Sequence, residues 1–257
     1  MRLCCFGDVH GNAPALEAVL ADAERHEPEL YCCTGDVAPG LGSPAAVVDR
    51  VLGLGCPWVT GNAEQWLLGT PEYSPDPASR RGRMVAWSRQ ALGPDRLRRL
   101  RGLPRGLVLR LGAPGTLWMA HGAPPEGIQP GIRPTGLQEW SGVLDDADVI
   151  GDMGPEPPAL LLCGHTHVPT VRRLGETLFV NPGSVGEGIH PEAPARFQTG
   201  NAVARYALLR WDAGEGWQVE LRAVPYPVAE TLGQLEGLPW VDAEELARRR
   251  EHLSRRA

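Results

Sequence analysis

Short apolar runs alternate with stretches of helical periodicity along the first 60 residues of the chain. Residues 3–6, 30–33 and 57–60 are predicted strands, because each is a brief apolar run. The spacing of apolar residues predicts one helix after Asn12 and another after Ser43, with the asparagine and the serine as N-caps and Pro44 at the first helical position. Strands that alternate with helices predict a parallel sheet with right-handed crossover connections.

The remainder of the chain contains further strands and three helical regions. Residues 65–104 have helical periodicity, interrupted by a proline-rich segment at 71–77, and a further helix is predicted after Thr135. Strands are predicted at residues 107–111, 116–120, 159–163, 177–180, 202–211 and 216–224. We expect the strands before and after residue 106 to form two sheets packed face to face. Residues 1–257 are then a single domain, with 239–257 as a C-terminal helical extension that Asp242 caps.

Composition narrows the possible functions. The chain is 42% hydrophobic and 22% charged, which is typical of a soluble globular protein. All 25 basic residues are arginines, and the absence of lysine excludes a Schiff-base mechanism and a phosphate-binding loop that ends in Gly-Lys. The net charge of -6 argues against strong non-specific nucleic-acid binding. Arginines in the 80–101 region and near the C-terminus, including Arg248, Arg249 and Arg250, are interpreted as solvated helix surfaces.

The six cysteines lie in or beside predicted buried strands. Disulfides or a zinc site are possible interpretations, but small buried side chains in a reducing cytosol explain these cysteines better. The N-terminus shows no cleavable signal, because Asp8 and His10 interrupt the apolar start. No apolar run approaches the length of a membrane span. We therefore expect a cytoplasmic protein without membrane contact.

Metal-binding side chains follow five of the predicted strands. The motifs, in chain order, are Asp8-x-His10, Gly35-Asp36, Gly61-Asn62, His121-Gly122 and Gly164-His165-x-His167. Sites in such folds form at the carboxyl ends of parallel strands, so we expect these side chains to lie close together. Imidazole and carboxylate ligands suit Mn, Fe or Zn. Seven nitrogen and oxygen ligands exceed the needs of one tetrahedral zinc ion and suit two ions about 3.5–4 Å apart.

The set and order of these motifs resemble the calcineurin-like metallophosphoesterase family, over residues 3 to about 210. The Asn-Pro-Gly-Ser sequence that begins at Asn181 is similar to a segment of the family's smaller bacterial phosphodiesterase branch. The resemblance implies an α/β fold, a four-layer αββα sandwich of two mixed β-sheets flanked by helices. It implies one metal ion held by Asp8, His10 and His167, a second held by Asn62, His121 and His165, and Asp36 as the bridging ligand.

The same resemblance implies hydrolysis of a small phosphodiester or phosphomonoester by attack of a metal-bridging hydroxide on phosphorus. A nucleotide is one candidate for this substrate. Two divalent ions are expected, with Mn as first choice and Fe or Zn as alternatives. Asn62 and His121 are also catalytic candidates, because Asn62 can donate a hydrogen bond to the phosphate. Asn12 is a candidate supporting residue. The sequence does not fix the oligomeric state, and an oligomer is one option.

The third motif departs from the family pattern. Many members have a histidine after the Gly-Asn pair, which can protonate the leaving oxygen, whereas this chain has Ala63. Glu64, which would orient that histidine, is expected to make only a local ion pair. His190 is the candidate replacement for the missing proton donor, with an exposed loop histidine as the competing interpretation. We therefore expect a preference for leaving groups of low pKa.

Three other functions remain as alternatives. A serine/threonine-type protein phosphatase is disfavoured, because those family members carry an arginine soon after the Gly-Asp motif and Gly35-Asp36 has none nearby. A non-catalytic interaction scaffold of the same fold is disfavoured by the complete ligand set. A dinucleotide-binding loop at Gly40-x-Gly42-x-x-Ala45 follows the second strand rather than the first, so a narrow loop beside Asp36 explains these glycines better.

Overall fold

Nine strands and six helices are present in the described part of the chain, which in this computed structural model covers residues 1–70, 74–122, 153, 155–187 and 202–254. The strands are β1 (Arg2–Phe6), β2 (Leu30–Cys33), β3 (Gly106–Arg110), β4 (Thr116–Ala120), β5 (Leu160–Leu162), β6 (Thr170–Leu174), β7 (Thr177–Asn181), β8 (Val203–Asp212) and β9 (Gly216–Pro225). The helices are α1 (Ala13–Glu24), α2 (Pro44–Leu54), α3 (Asn62–Leu68), α4 (Arg80–Arg101), α5 (Val228–Gly233) and α6 (Ala243–Ser254). The helix predicted after Thr135 lies outside the described residues.

Two mixed sheets form the centre of the fold. The first has the strand order β2-β1-β8-β9, and the second has the order β3-β4-β5-β7-β6. Strand β1 runs parallel to β2, and β4, β5 and β7 run parallel to one another, while the other pairs are antiparallel. The predicted fold class, two mixed sheets flanked by helices, is confirmed.

The prediction that residue 106 divides the two sheets is wrong. Strands β8 and β9 come late in the chain but join the first sheet, where Leu3 of β1 is opposite Leu209 of β8. The strand predicted at residues 57–60 is reduced to one bridge between Cys33 and Trp58. Pro57 has no N–H to donate, and the chain enters α3 at Asn62, which leaves too few residues for a ladder.

The core follows the two-residue period of the strands. Leu3 and Cys5 point between the sheets and share a core with Leu209 of the first sheet and with Met119 and Leu162 of the second. Cys4 and Phe6 of β1 point to the opposite face, where they pack against α1 and α2. All six cysteines are free and five are buried, so their interpretation as core residues is confirmed. Among the described residues, no helix is long and apolar enough to cross a membrane.

The helix starts agree with the sequence in part. Asn12 accepts a hydrogen bond from the Ala15 amide at 3.2 Å and caps α1, as predicted. Asp242 accepts from the Glu245 amide at 2.8 Å at the start of α6. Ser43 precedes α2 but makes no capping bond, because its hydroxyl donates instead to Gln234 Oε1 at 2.8 Å.

The arginines of α4 are mostly exposed, as predicted, but the prediction for the C-terminal cluster is wrong at Arg249. The Arg249 side chain is only 12% exposed, because it lies between the carboxylates of Glu187 and Glu245. Arg248 and Arg250 are exposed on the same helix. The last two arginines of the chain lie outside the described residues.

Candidate metal centre

Two loops at the carboxyl ends of β1 and β2 are joined by backbone hydrogen bonds. The Asp8 amide donates to the Gly35 carbonyl at 2.9 Å, and the His10 amide donates to the Asp36 carbonyl at 3.0 Å. Because the strands are parallel and adjacent, their first polar residues emerge side by side. The acidic side chains of the first two motifs therefore share one edge of the first sheet.

Three side chains form a first ligand group, which we call the Asp8 group: Asp8, His10 and His167. The Nε2 atoms of His10 and His167 are 3.1 Å apart, and His167 Nε2 lies 3.3 Å from Asp8 Oδ1. Two nitrogen ligands that are each about 2.0–2.1 Å from one ion lie about 3 Å from each other, so these spacings suit a shared metal.

A second group of three, the Asp36 group, consists of Asp36, His121 and His165. His121 Nε2 lies 3.2 Å from Asp36 Oδ2. The side-chain oxygen of Asn62 lies 3.2 Å from the same histidine nitrogen, so Asn62 borders this group. The structure thus divides His165 and His167 between two groups, as the resemblance implies.

Asp36 faces both groups. Its Oδ2 atom lies 3.2 Å from His121 Nε2 and 3.8 Å from His10 Nε2. All seven side chains predicted as metal ligands are therefore brought together. Asp8 Oδ1 also lies 3.9 Å from His121 Nε2, so both carboxylates are near both groups, and the role of Asp36 as the bridge stays a prediction. His190 lies outside the described residues, so its prediction stays open.

The histidine orientations fit metal binding. His121 Nδ1 lies 2.8 Å from the Thr34 carbonyl oxygen, and His10 Nδ1 lies 3.3 Å from the Pro39 carbonyl oxygen. When Nδ1 carries the proton for such a bond, Nε2 presents its lone pair to an ion. Nitrogen and carboxylate oxygen without thiolate suit Mn, Fe or Zn. The donor set therefore fits two divalent ions.

The electrostatics of the site reflect its buried carboxylates. Asp8 and Asp36 are almost fully buried. Burial opposes a charge on His121, but Asp36 and Asp8 outweigh it and raise the pKa of His121 to about 10. Burial and the neighbouring His121 lower the pKa of His165 to about 4. Negative charge gathered in a buried site is compensated by bound cations.

Backbone strain coincides with the ligands. Six non-glycine residues in the described ranges have positive φ, and five of them are ligand candidates: Asp8, His10, Asp36, His165 and His167. Their φ angles range from 48° to 73°. Such conformations cost about 1–3 kcal/mol each and persist only where surrounding contacts fix them. Their concentration at the ligands indicates a site held in place by the fold.

Glu64 has a different role from the one predicted. Its buried carboxylate pairs with no cationic side chain among the described residues; instead, it accepts hydrogen bonds of 2.7–3.1 Å from four backbone amides, those of Asp36, Val37, Ala38 and Gly61. These bonds fix the loop that carries Asp36. The signal was present in the sequence, because a glutamate at the third position of a helix commonly bonds backward to the N-cap amide.

Three glycines allow the loops to approach one another. A Cβ on Gly61 would lie 2.0 Å from Asp36 Oδ1, and one on Gly164 would lie 2.6 Å from Asp8 Oδ2. A Cβ on Gly40 would lie 2.3 Å from the His10 carbonyl oxygen. Gly40 thus keeps its loop against His10, which agrees with the narrow-loop interpretation rather than with dinucleotide binding.

The end of β7 and the residues that follow it contact the loops that carry the candidate ligands. Asn181 donates to the Gly164 carbonyl at 2.7 Å and so holds the loop that carries His165 and His167. Asn12 donates to the Gly186 carbonyl at 2.9 Å while it caps α1, so its predicted role as a cap is confirmed and its role beside the metal ligands stays a prediction. Sequence reasoning missed the carbonyls of Thr34 and Pro39, because backbone acceptors leave no residue-type signal.

Comparisons with known proteins agree with this architecture. Residues 1–202 match the model of the calcineurin-like phosphoesterase superfamily domain. The uncharacterized protein MJ0912 of Methanocaldococcus jannaschii is 26% identical over 201 residues, which are 72% of this chain and 76% of that protein.

Two solved structures resemble the whole chain in fold. A metallophosphoesterase from Sphaerobacter thermophilus has a TM-score of 0.69 and 24% identity, over 97% of this chain and 98% of its own. The hypothetical protein PH1004 from Pyrococcus horikoshii OT3 has a TM-score of 0.68 and 22% identity, over 100% and 99% of the two chains.

Proposed function

The chain belongs to the calcineurin-like phosphoesterase superfamily, and from this premise we propose that it is a phosphoesterase that binds two divalent metal ions and hydrolyses a small phosphodiester or phosphomonoester. The observation that carries the proposal is the position of the Asp36 carboxylate, with Oδ2 at 3.8 Å from His10 Nε2 and 3.2 Å from His121 Nε2. A carboxylate between two ligand groups is the arrangement that a pair of ions about 3.5–4 Å apart requires.

The proposed ligands are the Asp8 group for one ion, the Asp36 group with Asn62 for the other, and Asp36 as the bridge. When bound, the two cations would lower the pKa of water and neutralise charge on the phosphate oxygens. Mn is the first choice, with Fe or Zn as alternatives. The side-chain oxygen of Asn62 faces His121, so we assign its NH₂ group to donate a hydrogen bond to the phosphate.

Ala63 limits the chemistry of the leaving group. It has no ionisable side chain, and Glu64 is occupied by four backbone amides, so neither residue can deliver a proton to the leaving oxygen. General acid catalysis typically contributes about 10²–10⁴-fold. We therefore propose substrates with leaving groups of low pKa, such as aryl esters or pyrophosphate-type links, nucleotides included, with His190 as the candidate donor for others.

The function is tested with protein stripped of metal by EDTA and reloaded with Mn²⁺. An aryl phosphodiester, an aryl monoester, a cyclic nucleotide and a dinucleoside polyphosphate form the substrate panel. We expect Mn²⁺-dependent hydrolysis of at least one, and its loss in Asp36→Asn and His121→Ala. His26→Ala is the matched control, since that histidine follows α1, away from both ligand groups. A wild-type protein that binds no metal and hydrolyses none of the four would refute the proposal and favour the scaffold alternative.

A further inference from the structure

The C-terminal helix α6 lies beyond residues 1–202, the part that matches the family model, yet it contacts the chain beside the Asp8 group. Arg249 Nη1 donates to Glu187 Oε1 at 2.6 Å, and His252 Nε2 lies 2.6 Å from the Glu187 carbonyl oxygen. Arg249 also donates to Glu245 Oε1 at 2.8 Å, which fixes its guanidinium on the helix. The helix therefore holds Glu187 by both its side chain and its backbone.

Glu187 ends a short segment, residues 184–187, that supports the Asp8 backbone. The Asp8 carbonyl accepts two hydrogen bonds from this segment, from the Gly186 amide at 3.0 Å and from Ser184 Oγ at 2.9 Å. Ser184 Oγ in turn accepts from the Glu187 amide at 3.0 Å. Asp8 has a φ of 52°, a conformation that persists only when its surroundings fix it. These bonds connect Glu187 to the backbone of a candidate metal ligand.

The charges of this contact are largely shielded from water. The Arg249 and Glu187 side chains are 12% and 20% exposed. Burial raises the pKa of Glu187, but Arg249, His10 and His167 outweigh it and hold that pKa low. Loss of one partner from a buried ion pair leaves the other charge uncompensated, which displaces it toward water. Without Arg249, Glu187 would therefore be expected to move, and the 184–187 segment with it.

We propose that Arg249 is a positioning residue, which through Glu187 holds the 184–187 segment against the Asp8 backbone and so sets the affinity of the Asp8 group for its metal ion. This inference rests on the metal-binding part of the proposed function. Residues that orient metal ligands typically change metal affinity about 10–100-fold when they are replaced. The Asp36 group has separate support from Glu64, so its affinity should change much less.

The test is a Mn²⁺ titration of the full-length, EDTA-stripped protein without substrate, followed by the electron paramagnetic resonance signal of free Mn²⁺. Arg249→Met removes the charge and keeps the length of the side chain. Arg250→Met is the matched control on the same helix, since Arg250 pairs with Glu236 at 3.0 Å on the surface, where both side chains are more than half exposed. We expect one site of Arg249→Met to weaken by about tenfold or more, and both sites of Arg250→Met to match wild type.

A folded Arg249→Met protein with two unchanged affinities would overturn the inference. If Arg249→Met does not fold, Arg249→Lys decides, because lysine keeps the charge but loses the forked contact with Glu187 and Glu245. A weakened single site in Arg249→Lys supports the inference, and unchanged affinities overturn it. A wild-type protein that binds no Mn²⁺ would refute both proposals. One that binds two ions but hydrolyses no ester would refute the proposed activity alone, and the titration would still decide the role of Arg249.

Discussion

The carboxylate of Glu64 accepts a hydrogen bond of 2.9 Å from the backbone amide of Asp36. Three further amides, from Val37, Ala38 and Gly61, donate to the same buried carboxylate. Four N–H donors that converge on one buried carboxyl group fix the loop that carries the candidate bridging ligand. The third motif therefore keeps a structural role, although it lacks a proton donor at position 63.

Replacement of Glu64 by glutamine should destabilise the fold and weaken metal binding. A glutamine has one acceptor oxygen where four N–H groups converge, and its NH₂ group would face two of those donors. We expect a loss of roughly 2–5 kcal/mol in the free energy of unfolding, measured by urea denaturation in EDTA. Glu17→Gln is the control, because Glu17 pairs with Arg50 at the surface. Equal stability of the two variants would contradict the role assigned to Glu64.

A methyl group at position 61 should disrupt the Asp36 group. In Gly61→Ala the new Cβ would lie 2.0 Å from Asp36 Oδ1, and the φ of -99° allows alanine, so the clash is the only cost. We expect Asp36 to be displaced and Mn²⁺ affinity to fall by at least about tenfold in a titration. Gly53→Ala is the control: among the described residues, no atom beyond the neighbouring backbone of α2 lies within 4 Å of that Cβ, and it should stabilise helix α2 by about 0.5–1 kcal/mol.

The leaving group should govern the rate. With alanine at position 63, we expect log kcat/KM for a series of substituted aryl phosphodiesters to fall steeply as the pKa of the released phenol rises, because no side chain there protonates the leaving oxygen. Because His190 is the candidate donor for poorer leaving groups, His190→Ala should make that dependence steeper. A rate that is limited by chemistry and independent of leaving-group pKa would contradict the expectation.

Acid should destabilise the fold through Asp22, away from the metal centre. Asp22 accepts hydrogen bonds from Tyr206 Oη at 2.6 Å and from Arg222 Nε at 2.8 Å. Burial raises the pKa of Asp22, but these partners outweigh it and lower that pKa below its usual value of 3.8. The stabilisation is therefore present above pH 3.8 and is lost as the pH falls through the lower folded-state value.

Asp22→Asn tests this pH dependence. We expect the variant to be less stable than wild type by about 2–3 kcal/mol at pH 7, with a difference that shrinks as the pH falls below about 4. Urea unfolding at several pH values measures it. Asp95→Asn removes an exposed carboxylate paired with Arg98 and should show little effect at any pH. A difference that stays constant from pH 7 to pH 3 would show that charge on Asp22 is not the cause.

Local patterns in the sequence were sufficient for most elements of the fold. The starts of α1 and α6 follow from Asn12 and Asp242, because a capping side chain acts within three residues of its own position. The pairing of β8 with β1 could not be predicted in this way. It depends on hydrogen bonds between distant segments, and an apolar run of alternating residues fits either sheet equally well.

The residue types of the candidate centre follow from the sequence, since histidine, aspartate and asparagine after apolar strands are visible one motif at a time. The contacts that hold these side chains follow from the three-dimensional fold. The Ser184 hydroxyl donates a hydrogen bond to the Asp8 carbonyl, although 176 positions separate the two residues. Glu64 and Arg249 have their roles because burial removes competing water and strengthens their contacts with backbone amides and with opposite charges. Such contacts depend on the folded geometry, and residue type alone does not specify them.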